Sequence, residues 1–132
     1  MIPRDGILRI ARPTDSLKTI AKMYCEGLGF EQLGEFNDHL GFYGVLIGHP
    51  QHYYHLEFTH HAGTVVGKAP TQDNLLVFYL PDTSQWQQQC GQMVAGGFIE
   101  VVSYNPYWDN TGKTFEDADG YRVVLAHRDW TI

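Results

Sequence analysis

The sequence predicts an α+β fold: two βαβββ modules in tandem, their mixed sheets curled around a central cleft. Three observations carry this. A strand, an amphipathic helix and a Gly-Phe pair recur in the same order in both halves of the 132-residue chain. Their spacing is nearly constant, since Asp15 lies 67 positions before Asp82, and Gly29-Phe30 lies 68 before Gly97-Phe98. Finally, one such module has a single helix to cover one sheet, so two modules side by side enclose a cleft in which a ligand can sit.

The elements follow in order. Leu8-Arg9-Ile10-Ala11-Arg12 reads as a strand, and Pro13-Thr14-Asp15 ends it and opens a helix. Leu17, Ile20, Ala21, Tyr24 and Leu28 fall on one helical face, and Gly29 stops the helix before Phe30. Strands follow near 31–36, 41–47 and 53–60, with turns at Asn37-Asp38 and Gly48-His49-Pro50. A linker rich in Gly, Pro and polar residues spans about Ala62–Asp73. This sets module 1 at about 7–61 and module 2 at about 74–128. In the second module Leu75–Leu80 is a strand and Pro81-Asp82-Thr83 opens a helix. Trp86, Cys90, Met93 and Val94 form its apolar face, and Gly96-Gly97 stop it. Three strands near 98–103, 113–117 and 121–127 complete the module, with Asp119-Gly120 the strongest turn signal in the chain.

Composition narrows the functional classes. With 43% hydrophobic and 18% charged residues the chain is globular and large enough for one core without staples. A net charge of −6 argues against a nucleic-acid partner, because phosphates require a basic surface. No stretch approaches the length of a membrane span, and Met1–Gly6 lacks the apolar run of a signal peptide. A cytoplasmic protein is expected, with Cys25 and Cys90 as reduced thiols on helices. There is no nucleophile motif and no phosphate-binding Gly-rich loop.

The segment Leu8-Arg9-Ile10-Ala11-Arg12-Pro13-Thr14-Asp15, followed by Ala21-Lys22-Met23-Tyr24 and Gly27-Leu28-Gly29-Phe30, resembles the opening module of glyoxalase/bleomycin-resistance domains. His55-Leu56-Glu57-Phe58 is similar to that module's closing strand. Thr114–Tyr121 resembles the Phe-x-Asp-Pro-Asp-Gly turn before the last strand, with Ala118 in place of the proline. Together these identify a resemblance to the vicinal-oxygen-chelate superfamily, which includes glyoxalase I, bleomycin-resistance proteins and extradiol dioxygenases. In its metal-dependent members four side chains, on the first and last strand of each module, hold a divalent cation. The corresponding residues here are Leu8, Glu57, Leu75 and Val124, with Asn74 offered if the third register slips by one. Only Glu57 among the four can coordinate strongly, so no metal and no other cofactor is expected. The resemblance also implies a homodimer.

The residues suggest where a small organic ligand binds. Five of the seven histidines fall within residues 49–61. On a strand His55 and Glu57 share a face roughly 7 Å apart, with Tyr53 on the same side. A His-x-Glu pair joined by His39 is the one alternative metal constellation, set against a hydrogen-bonded histidine beside a pocket carboxylate. Arg12 lies four residues beyond Leu8, and the resemblance gives an arginine there a role in binding the ligand's anionic part. Arg12 is therefore expected to pair with Glu57 in the cleft, unless it only closes one end of the sheet. The loop Tyr104–Asn110 carries Tyr107 and Trp108, which either stack on a ligand or cap the core. Glu57 is the only candidate catalytic residue, as a desolvated general base. The leading functional expectation is a metal-free small-molecule binding protein like the bleomycin-resistance branch. The alternatives are a divalent-metal glyoxalase-like lyase, a fosfomycin-resistance-like transferase or an extradiol dioxygenase, and a metal-independent lyase or isomerase using Glu57.

Overall fold

A computed structural model describes residues 1–131. Module 1 comprises β1 (Leu8–Pro13), α1 (Leu17–Leu28), β2 (Glu31–His39), β3 (Phe42–Gly48) and β4 (Tyr54–His61). Module 2 comprises β5 (Leu75–Tyr79), α2 (Thr83–Ala95), β6 (Ile99–Val101), α3 (Tyr107–Asn110), β7 (Gly112–Glu116) and β8 (Arg122–Ala126). The sheets have the orders β1-β4-β3-β2 and β5-β8-β7-β6. In each, the first strand runs parallel to the last, because a helix carries the chain across, and the remaining pairs are antiparallel. The tandem βαβββ architecture is therefore present, as two mixed sheets rather than a closed barrel. No described helix is long and apolar enough to cross a membrane.

Several local features differ from the sequence reading. Asn37-Asp38 does not turn the chain but makes a bulge within β2, and the hairpin closes at Leu40-Gly41, where φ is 54° and 84°. α1 begins one residue after Ser16, which makes no side-chain cap. Asp15 instead turns outward and accepts from the Val66 and Gly67 N–H groups at 2.9 and 2.8 Å, which pins the linker. Asp82 does cap α2, accepting from the Gln85 N–H at 2.8 Å. Val94, expected on the apolar face of α2, is exposed. The segment expected as a plain loop contains the short helix α3.

Each helix covers one face of its own sheet, and the helices pack on each other. Ile20, Met23, Tyr24, Ile47, Leu56 and Phe58 from module 1 form one core with Met93, Phe98, Phe115, Val123 and Leu125 from module 2. The helices approach so closely that a Cβ on Gly96 would lie 2.5 Å from the Gly27 nitrogen. Gln89 and Gln92 of α2 use this approach to donate to the carbonyls of Gly27 and Glu26, which the end of α1 would otherwise leave unpaired. A polar clamp joins the modules at the other end. The Thr14 hydroxyl donates to Asp119 at 2.6 Å, and the Tyr24 hydroxyl donates to Asp117 at 2.8 Å. The other oxygen of Asp117 accepts from the Asp119 and Tyr121 N–H groups. Burial, with the charge of Asp117 beside it, pushes the Tyr24 hydroxyl well above its ordinary range.

Candidate functional site

The parallel register of β1 and β4 decides which side chains meet. Arg9 lies beside His55 and Ala11 beside Glu57, while Leu8, Ile10 and Arg12 lie beside Tyr54, Leu56 and Phe58. The second set faces the helix, since Leu56 and Phe58 belong to the core and Tyr24 packs on Phe58 at 4.8 Å. The first set therefore lines the opposite, helix-free face. There Arg9 Nε donates to His55 Nε2 at 2.9 Å, and Arg9 Nη1 donates to Glu57 Oε2 at 3.1 Å. Because His55 Nε2 accepts, its ring is neutral with the proton on Nδ1. Glu57 is 15% exposed and Arg9 49%, so the carboxylate is recessed behind a guanidinium that keeps several N–H groups turned to solvent.

This arrangement does not suit the divalent cation that the superfamily's enzymes hold. By the sequence offset three of the four corresponding positions are the aliphatic Leu8, Leu75 and Val124, and the β1 residue that strand pairing sets on the face of Glu57 is the cation Arg9. At the fourth, Glu57 is already neutralised by a guanidinium, and a metal would have to displace it against like charge. Leu8 moreover lies on the other face from Glu57. Among the described residues no three His, Cys, Asp or Glu side chains converge as metal ligands would. His39 is level with His61 through Phe42, six positions along β4 from His55, or roughly 20 Å. The five crowded histidines instead serve separate neighbourhoods. His49 and His52 lie among aromatic rings, and His55 meets Arg9. His60 bonds the Thr14 carbonyl, and His61 stacks on Phe42.

Arg12 is not the partner of Glu57. It lies on the helix side, 3.9 Å from Asp117, 3.4 Å from the Tyr24 hydroxyl and 3.8 Å from the centre of the Tyr121 ring. It thus belongs to the clamp between the modules. The residue that takes its expected place is Arg9. Strand alternation alone correctly puts Leu8 and Arg12 together, but the face they share is set by pairing with β4, and a shift of one position exchanges the faces. Tyr53 stands exposed one residue before β4, on the side of His55 by alternation. Tyr107 is half exposed, accepts from Arg128 at 2.8 Å and packs edge-on against Trp108 at 5.0 Å. Both lie with α3 against β7 in module 2, a different sheet from that of Glu57.

The corresponding face of module 2 is closed by its own chain. Val124, Thr114 and Arg122 point away from the helix yet are 0, 1 and 5% exposed. The covering comes from the segment after β6. The Ser103 and Thr114 hydroxyls bond each other, and Arg122 donates to the Val102 carbonyl at 3.2 Å while pairing with Glu116 at 3.0 Å. Asp109 accepts from the Ser103 N–H and holds the segment in its turn. Of the two helix-free faces, that of module 1 presents the open polar cluster.

Comparison with known proteins agrees with this architecture. Residues 8–59 match the YycE-like N-terminal domain, and residues 73–127 match the YycE-like C-terminal domain. The protein YycE of Bacillus subtilis strain 168 is 45% identical over 120 residues, which span 91% of this chain and 86% of YycE. A crystal structure of the B. subtilis YycE protein superposes with a TM-score of 0.88 at 41% identity, covering 97% of this chain and 93% of that one. The fosfomycin-resistance protein FosX of Mesorhizobium loti has the same fold, with a TM-score of 0.71 at 11% identity, covering 96% of this chain and 93% of that one. So does TnmS3, an antibiotic-binding protein of Streptomyces sp. CB03234, with a TM-score of 0.61 at 17% identity and coverage of 92% and 93%. The chain belongs to the YycE-like family of the vicinal-oxygen-chelate superfamily.

Proposed function

We propose that this protein is a metal-free small-molecule binding protein, whose ligand rests on the helix-free face of module 1 against Arg9, His55 and Glu57. The observation that carries the reading is the Arg9 guanidinium bonded to Glu57, where a metal-dependent relative needs a free carboxylate. Free N–H groups of Arg9 offer a ligand carbonyl or hydroxyl paired donors, while the recessed Glu57 and the neutral His55 offer acceptor and donor beside them. Tyr53 borders the same face. That TnmS3, a protein of the same fold, is an antibiotic-binding protein supports ligand binding as a role for this fold. We further propose a homodimer in which a second copy completes the cleft. The support is that β1 and β5 are each paired on one side only, which leaves one row of backbone donors and acceptors of each open for a partner strand.

The decisive experiment is elemental analysis of the untagged protein combined with calorimetric titration of zinc, nickel and manganese into wild type, Arg9→Ala and Glu57→Ala. Wild type is expected to carry no stoichiometric metal and to show no saturable uptake. Stoichiometric metal that disappears in Glu57→Ala would overturn the metal-free reading. A sedimentation mass of 15.0 kDa, that of one chain, at micromolar concentration would overturn the dimer.

A further inference from the structure

We infer a second ligand site, independent of the Arg9 cluster, in the aromatic groove between the modules, suited to a flat, uncharged aromatic molecule bearing one hydroxyl or amide group. Phe30, Tyr54 and Phe78 form a nearly equilateral triangle of rings, with centroid separations of 6.4, 6.3 and 6.2 Å and interplanar angles of 50–67°. Rings tilted in this way hold faces and edges toward a common space instead of stacking on one another. That space is a cavity of about 190 Å³, which His49 and His52 border. Through Tyr54 and Phe78 it adjoins a second cavity of about 270 Å³ with aliphatic walls from β1 and β5. Together the two suit one small organic molecule.

The polar atoms at the groove specify the ligand further. The Tyr54 hydroxyl and the ring nitrogens of His49 and His52 make no side-chain hydrogen bond among the described residues and stand open to solvent at the groove, where a ligand can meet them. Gln89 spends its amide N–H on the Gly27 carbonyl, which leaves its oxygen free to accept. Among the described residues no carboxylate, lysine or arginine lines either cavity, so a charged ligand would enter without a partner and at a cost in desolvation. A neutral planar ring with a single donor or acceptor meets both requirements. Tyr54 alternates with His55 along β4, so this groove lies behind the Arg9 cluster on the opposite face of the same strand.

The experiment is a fluorescence titration of the 132-residue protein with N-phenyl-1-naphthylamine, a neutral aromatic probe with one N–H. Saturable binding is expected, weakened roughly tenfold by Phe78→Ala through loss of one ring wall and several-fold by His52→Ala. Arg9→Ala and Glu57→Ala are expected to bind the probe as wild type does, which separates this site from that of the proposed function. His52 is exposed, so its variant keeps the inference testable even if Phe78→Ala unfolds, and circular dichroism establishes which variants are folded. Absence of saturable binding, unchanged binding in folded His52→Ala, or binding abolished by Arg9→Ala would each overturn the inference.

Discussion

The two arginines of β1 show how much one position of register decides. Arg12 is 14% exposed and faces Asp117, which is 1% exposed, whereas Arg9 stands half in solvent. Removing Arg12 leaves a buried carboxylate and a tyrosine hydroxyl short of a partner, so Arg12→Ala is expected to cost about 2 kcal/mol or more in urea denaturation. Arg9→Ala removes a guanidinium that stands half in solvent and lets water reach the recessed Glu57, so it is expected to cost less, about 0.5–1 kcal/mol. Equal losses in the two variants would refute this division of roles. Asp117 adds a pH signature. Burial raises its carboxyl above the ordinary 3.8, against the lowering hydrogen bonds from Tyr24 and from the Asp119 and Tyr121 N–H groups. A raised folded value means that the native state holds the proton more tightly. The resulting stability is complete below pH 3.8 and is lost as pH rises through the folded value. Wild type should therefore lose stability relative to Asp117→Asn as pH rises from about 3 toward neutrality, and a difference that grows in the other direction would contradict the assignment. Little of this was legible in the sequence. Alternation identifies neighbours within a strand, and it correctly joined His55 to Glu57. Nothing in a single strand's pattern states which face meets the helix or which residue of β1 stands beside His55.

Elements were more legible than contacts, because caps and periodicity are local. Asp82 and Gly29 mark helix ends by side-chain capping and by a left-handed φ of 73°, and both act within a few residues of where they stand. Asn37-Asp38 misled because the same residue types that favour turns also favour bulges, and only the pairing of Phe36 with Gly44 and of His39 with Phe42 distinguishes them. The close helix contact was not legible at all, since a helical glycine reads the same whether it faces solvent or another backbone. Two glycines at α2 separate the cases. At Gly91 no atom lies within 4 Å of where an alanine methyl would stand, so Gly91→Ala is expected to stabilise by about 0.5–1 kcal/mol through helix propensity. Gly96 has an ordinary φ of −80°, but its Cβ would meet the Gly27 backbone, which cannot rotate away. Gly96→Ala is therefore expected to destabilise by about 1–3 kcal/mol. Thermal melts of the pair check both signs, and a neutral Gly96→Ala would show that the helices can separate without cost.

At the scale of the whole molecule, the repeat predicts two equivalent modules, yet their helix-free faces differ. Module 1 leaves Arg9, His55 and Glu57 accessible to varying degrees, while module 2 folds residues 102–111 over Thr114, Arg122 and Val124. The repeat offset could not reveal this, because the covering segment has no counterpart between β2 and β3, which a two-residue turn joins directly. Arg122 is the tie that holds the cover, since it bonds both Glu116 on β7 and the Val102 carbonyl. Its side chain is only 6% exposed, so Arg122→Ala is expected to cost about 2–3 kcal/mol by leaving both acceptors without their donor. The more informative readout is hydrogen exchange. If residues 102–111 are a separately anchored cover, the variant should lose protection there while α1, β3 and β4 keep the wild-type order of exchange. Uniform loss of protection across both modules would mean that the segment belongs to the common core, and that the two faces differ in sequence but not in their capacity to open.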